Sequence, residues 1–144
     1  MKPIERHNAR ESALQAMYQW QVAGAPLADI EAEFLNEHIT EQIDLAYFQE
    51  LLHTIPTIID ELDELLTPHL KRPIRELDPV ELAVLRIGVY ELAKRPDIPY
   101  RIIINEALEL TKKFGSIEGF KFVNGVLDQV ARKLRAIEIA ADKK

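Results

Sequence analysis

Asp78-Pro79-Val80-Glu81-Leu82-Ala83-Val84-Leu85-Arg86-Ile87-Gly88-Val89-Tyr90-Glu91-Leu92-Ala93 is the stretch on which the fold turns. It opens with an aspartate suited to cap a helix. A proline follows in the first helical turn, where its missing N–H goes unneeded, and an acid stands three residues beyond the cap. From there Leu82, Val84, Leu85, Ile87, Val89, Tyr90 and Leu92 occupy nearly every side of a helical cylinder. A helix that is apolar all round must be covered all round, so this one sits in the middle of a bundle.

The flanking sequence supplies the cover. Arg95-Pro96-Asp97-Ile98-Pro99 is a stiff loop, after which a fifth helix from about Tyr100 to Phe114 carries the stripe Ile103, Ala107, Leu110, Phe114. Gly115 can end that helix and Ser116 can cap a sixth, which the pattern extends to about Ile139. Upstream, a first helix from about Arg6 to Ala23 places Ala9, Ala13, Met17 and Trp20 on one face, and Gly24-Ala25-Pro26 closes it. A short second helix spans about Leu27 to Glu37. A third starts near Gln42 and carries Leu45, Phe48, Leu52, Ile55, Ile59, Leu62 and Leu66, with Pro56 inside it to kink or split it. The expectation is an all-α chain, a compact bundle of about six or seven helices. Thr67-Pro68 and Arg72-Pro73 divide it into subdomains of about 1–70 and 71–144, with the third to sixth helices packed around the fourth.

Composition agrees. A chain of 144 residues, 47% hydrophobic and 29% charged, suits one domain, and five glycines are too few for the tight turns of an all-β fold. The absence of cysteine excludes disulfides and thiolate metal sites. The N-terminal residues lack the apolar core of a signal peptide, and no run approaches a membrane span, so a cytoplasmic location is expected.

Charge is distributed in blocks. Between Glu11 and Leu70 there are twelve acidic side chains and no Lys or Arg, whereas residues 1–10 are net +2 and residues 71–144 net +4, within a total of -6. An acidic middle repels a polyanion, so contact with nucleic acid would have to use the N-terminal arm and the C-terminal half.

Catalytic signals are absent. There is no glycine-rich phosphate loop, and His7, His38, His53 and His69 are too dispersed for paired-ligand spacing, so neither metal nor cofactor is expected. Asp60-Glu61 and Asp63-Glu64 read as the solvated face of a helix. Binding signals are stronger. On the first helix His7, Arg10, Leu14, Tyr18 and Gln21 form a second stripe beside the core stripe. On the sixth, Val123, Val126, Leu127, Val130, Leu134 and Ile137 define the core line, and Phe122 points about 100° away from it, beside Lys121. An aromatic ring off the core stripe next to a lysine suits base stacking beside a phosphate contact, as in single-strand recognition. Tyr18 lying over the core edge with its hydroxyl in water, and Phe122 packing against another helix, would account for the two aromatics equally well.

Five ordered blocks carry a resemblance: Arg10-Glu11…Gln15-Ala16-Met17-Tyr18…Trp20-Gln21; Ala83-Val84-Leu85-Arg86-Ile87…Tyr90-Glu91-Leu92; Ile98-Pro99-Tyr100; Ile104-Asn105-Glu106-Ala107; and Phe114-Gly115-Ser116 with Lys121-Phe122-Val123-Asn124-Gly125-Val126-Leu127-Asp128. In order and spacing the chain resembles the NusB transcription antitermination family, least closely over about 27–75. The resemblance implies a two-subdomain helical fold without enzyme activity. It also implies binding of the single-stranded boxA element of ribosomal RNA leader transcripts together with NusE, a ribosomal protein, within a termination-resistant RNA polymerase complex. By position, Lys2, Arg6, Arg10 and Tyr18 match the family's RNA-contacting arm and first helix, and Lys121, Phe122 and Asn124 match its sixth-helix contacts. His7 joins them from the stripe. Glu81, at the start of the fourth helix, is the candidate for part of the NusE contact, or else simply completes a capping box. Where the family has an arginine-rich arm, this chain reads Arg6-His7-Asn8-Ala9-Arg10, which implies heavier reliance on the protein partner. Two other readings stay open. One is an accessory domain of an RNA cytosine methyltransferase, which would need a cofactor-binding segment beyond Lys144; the other is a protein adaptor that never touches RNA.

Overall fold

The computed structural model describes residues 3–37 and 42–143, and among these no strand occurs. The helices are α1 (Pro3–Ala23), α2 (Leu27–Glu37), α3 (Leu45–Thr54), α4 (Ile59–Leu66), α5 (Pro79–Lys94), α6 (Tyr100–Phe114), α7 (Ile117–Leu134) and α8 (Ala136–Asp142). The all-helical expectation holds. None of them is long and apolar enough to cross a membrane.

The chain divides into two compact units, Met1–Ile58 and Ile59–Lys144, and not at the proline-marked connection near residue 70. The expected third helix explains the shift. Pro56 lies in a tighter 3₁₀ turn, Ile55–Ile58, which ends α3 and restarts the chain as α4. Packing then separates the two halves: α3 belongs with α1 and α2, and α4 with α5. Asp63 of α4 takes a two-pronged ion pair from Arg86 of α5, Nε to Oδ1 at 3.1 Å and Nη2 to Oδ2 at 2.8 Å. Glu61 pairs with Lys94 at the far end of α5. Acids expected to face only water therefore meet the two bases that α5 carries on that side. The bundle around the apolar helix is consequently α4, α6 and α7, and α3 is not part of it.

In the second unit α5 behaves as its sequence demands. The Asp78 carboxylate accepts from the backbone N–H groups of Val80 and Glu81, at 2.8 and 3.1 Å, and Pro79 follows it. Every residue from Leu82 to Leu92 is buried. Gly88 permits the close crossing with α7, because a Cβ there would lie 2.9 Å from Leu127 Cδ1. Ile103, Ala107 and Leu110 of α6 and Val123, Val126, Leu127 and Val130 of α7 supply the rest of the core.

The sixth helix of the sequence reading ends early, at Leu134. Arg135, itself buried, turns its guanidinium onto the end of α5 and the loop after it. It donates to the carbonyls of Leu92 (3.0 Å), Glu91 (3.2 Å), Arg95 (2.9 Å) and Ile98 (2.9 Å). These include carbonyls that a helix C-terminus leaves without partners, and a cation is favoured there. Arg135 also pairs with Glu138, whose other oxygen accepts the N–H of Tyr100 at the start of α6. The break resets the helical phase, so Ile137, expected on the core line, is 88% exposed.

Candidate nucleic-acid interface

In the first unit the expected basic stripe of α1 is not one exposed face. Both α2 and α3 pack on α1, and the buried arc is wide enough to include Arg10, Ala13, Leu14 and Met17. Tyr18 stays 40% exposed, but Arg10 is 3% exposed. Its guanidinium carbon lies 5.5 Å from the centre of the Tyr47 ring, and that of Arg6 lies 4.6 Å from the same ring. Tyr47 is thus held by two cations, an arrangement favourable by about 0.5–2 kcal/mol for each. Arg6 is further restrained by Asp44, with Nε 3.7 Å from Oδ2. Asp44 is itself buried and caps α3 by accepting from Tyr47 N–H at 3.0 Å. His7 lies one turn before Glu11, Nε2 to Oε2 3.4 Å. The expectation of a solvent-facing Arg10 is therefore corrected: Arg10 is an internal support, while Arg6, His7 and Tyr18 reach the surface to differing degrees. Lys2 lies outside the described residues.

In the second unit α7 presents its off-core residues as expected. Ser116 caps the helix by accepting from Gly119 N–H at 3.0 Å. Lys121 and Asn124 are exposed and Phe122 is half-buried. Lys121 and Phe122 line one cleft of about 290 Å³, whose apolar lining is completed by Leu77 and Val126. Its polar residues include Lys71 and Arg72, which the sequence pattern does not single out, together with His69 and with Gln129, which helical period places on the same side of α7 as Phe122. Lys71, Arg72 and His69 come from the connection before α5, so only tertiary packing brings them to this face of α7. The nearest available signal was the first basic pair after sixty residues without one, Lys71-Arg72. Asn124 is not among the cleft residues; it sits about 160° around α7 from Phe122.

Glu81 faces α7. A Cβ on residue 119 would come within 2.7 Å of its Oε2, so Gly119 provides the seat for this carboxylate near the N-terminal turn of α7, where negative charge is favoured. Burial, and then the nearby Asp78, raise the Glu81 carboxyl above its ordinary value, with Arg72 pulling the other way. Among the described residues no group of acids and histidines could hold a metal ion.

The sequence pattern of the NusB family matches residues 7–132. A transcription antitermination protein NusB from Shewanella halifaxensis is 53% identical over 135 residues, covering 94% of this chain and all of that protein. One from Pseudomonas savastanoi pv. phaseolicola is 52% identical over 143 residues, covering 99% of this chain and 87% of that protein. Among solved structures, T. maritima NusB superposes with a TM-score of 0.77 at 29% identity, covering 92% of this chain and 93% of that one. A complex of the antitermination factors NusB and NusE with double-stranded RNA does so with a TM-score of 0.78 at 28% identity, covering 92% and 99%.

Proposed function

The chain belongs to the NusB family, and on that premise we propose that it binds the boxA element of nascent ribosomal RNA leader transcripts together with a NusE-type ribosomal protein. It is a non-enzymatic transcription antitermination factor that binds RNA, and the pair helps RNA polymerase resist termination. The place of action is the cytoplasm, where such transcripts emerge. The contacts assigned to RNA are Lys2, Arg6, His7 and Tyr18 from the first unit and Lys121, Phe122 and Asn124 from the second, with Arg10 supporting the first group from inside.

The observation that carries this reading is the cleft at Phe122. In a chain of net charge -6, an aromatic ring shares one concave site with Lys71, Arg72 and Lys121. Rings stack on bases of any sequence and cations hold the phosphates. The site suits a single strand, whose bases are free to turn outward.

The test is a titration of boxA-like single-stranded RNA against the protein, alone and with the ribosomal-protein partner, followed by fluorescence anisotropy. Affinity should rise when the partner is added and fall with salt. Phe122→Ala should weaken binding about 5- to 150-fold, the value of one lost base stack, while circular dichroism shows an intact helical fold. Wild-type RNA binding by a folded Phe122→Ala protein would hand the function to the adaptor reading.

A further inference from the structure

We infer that α8 and the loop before α6 form a docking surface for an acidic, helical segment of another protein, seated on Ile137 and separate from the residues assigned to RNA. The case begins at the break after Leu134. Had α7 run on as its sequence pattern suggests, Ile137 would lie on the core line. The turn at Arg135 brings it out instead, and at 88% exposed it is the most exposed large apolar side chain among the described residues. A single apolar side chain at a surface is ordinary. Ile137 is not single: with Pro96, Leu134 and Ala136 it lines a cleft of about 430 Å³, within the roughly 300–1,000 Å³ of sites that hold a bound group.

The cleft is built before anything docks. Arg135, which lines it, is fixed by four carbonyls, and Pro96 stands in the loop where Arg95 grips Asp97 through contacts of 3.0 and 2.9 Å. A rigid site spares a partner part of the ordering cost of binding. The inner side of α8 is already committed to α6: Glu138 accepts the Tyr100 N–H at 2.9 Å, and Asp142 pairs with Arg101 at 2.7 Å. Ile137 and Ala140 lie about 100° or more around the helix from either acid, and both are exposed.

The charge left over is positive. The carboxylates of Glu138, Asp97 and Asp142 each have a cation of their own, in Arg135, Arg95 and Arg101. Lys133 in the cleft and Lys143 at the end of α8 are exposed and, among the described residues, form no ion pair. An apolar anchor beside unpaired lysines matches an amphipathic helix that carries carboxylates along its apolar side. RNA would satisfy the lysines but offers nothing apolar to Ile137, and no aromatic side chain lines the cleft for a base to stack on.

The test titrates the whole protein with three fluorescein-labelled helical peptides that share one leucine pattern and carry glutamate, glutamine or lysine at the flanking positions. Anisotropy should show the glutamate peptide binding most tightly and the lysine peptide least, with the gap closing as salt is raised. Ile137→Ala should weaken the glutamate peptide about 5- to 30-fold, the loss expected of a central apolar anchor. Combined Lys133→Gln and Lys143→Gln should abolish the preference for glutamate over glutamine. In both variants circular dichroism and the affinity for boxA-like RNA should match wild type.

Absence of glutamate-peptide binding, equal binding of all three peptides, or binding that survives Ile137→Ala overturns the proposal. Three further outcomes overturn it by naming another occupant. Weaker RNA binding by the double lysine variant would give these cations to RNA. Binding to phosphatidylserine vesicles that requires Ile137 would make the patch a membrane contact. Self-association in sedimentation velocity that Ile137→Ala removes would seat a second copy of the chain there.

Discussion

The two helices that carry the basic and aromatic residues of this chain treat them in opposite ways. On α1, Arg6 and Arg10 are turned toward the Tyr47 ring of their own unit, and Asp44 restrains Arg6 further. On α7, Lys121 is exposed and Phe122 lines an open cleft with more cations around it. The same two residue types, cation and aromatic, serve internal cohesion in one unit and line an open cleft in the other. An arginine in a basic segment is thus not by itself a phosphate contact. What decides is whether its own fold already supplies the ring.

The largest test of this contrast is Arg10→Ala. It removes two buried methylenes, at roughly 0.8 kcal/mol each, and a cation–π contact of about 1 kcal/mol, so the first unit should lose about 2–3 kcal/mol in urea unfolding. Lys121→Ala should stay within about 0.5 kcal/mol of wild type, as exposed positions do. Equal losses would erase the distinction.

Next is Tyr18→Ala, since Tyr18 is the aromatic that α1 does leave at the surface. RNA affinity should drop by about 1–3 kcal/mol with little change in melting temperature. A protein that melts earlier but binds RNA normally would show Tyr18 to be packing.

A third substitution sharpens the comparison by moving α1 toward α7. Asp44→Asn keeps a side chain able to cap α3 but removes the charge beside Arg6. RNA binding should tighten, and its salt slope should steepen by up to about 0.7. An unchanged slope would mean that Arg6 never reaches phosphate.

The smallest effect concerns Glu81, whose carboxyl is raised above its ordinary value of 4.5, chiefly by burial. The folded state therefore holds this proton more tightly than the unfolded chain does. Stability from the protonated form is complete below pH 4.5 and is lost as pH rises through the folded-state value. Glu81→Gln lacks this loss, so it should melt slightly above wild type at pH 7, with the difference vanishing near pH 4. A constant difference across that range would mean that shape and not charge sets the site. Glu81→Lys would be a poor probe of partner binding, because the bulkier cation has to enter the seat at Gly119.

Much of this was legible in the residues. The cap and the all-round apolar pattern of α5, the core line of α7 and the break at Pro56 all follow from local rules that tertiary structure has no reason to overturn. Helical period alone placed Lys121 and Phe122 off the core. It could not place Arg10, because a wheel gives angles and not the width of the buried arc, which here reflects two helices packing on α1. Nor could it find Lys71 and Arg72, whose association with Phe122 exists only after α7 docks beside the connection. The break at Arg135 carries no glycine or proline; its cause is a set of carbonyls more than thirty residues upstream.

Those carbonyls impose an order on synthesis. The end of α5 and the loop after it wait for a guanidinium made about forty residues later, and the first N–H of α6 waits for Glu138. While the ribosome is still short of residue 135, the first unit can already be complete but the second cannot be, as domains generally fold in turn from the N-terminus. A factor that works on nascent RNA thus matures in two instalments, and its Phe122 cleft belongs to the later one.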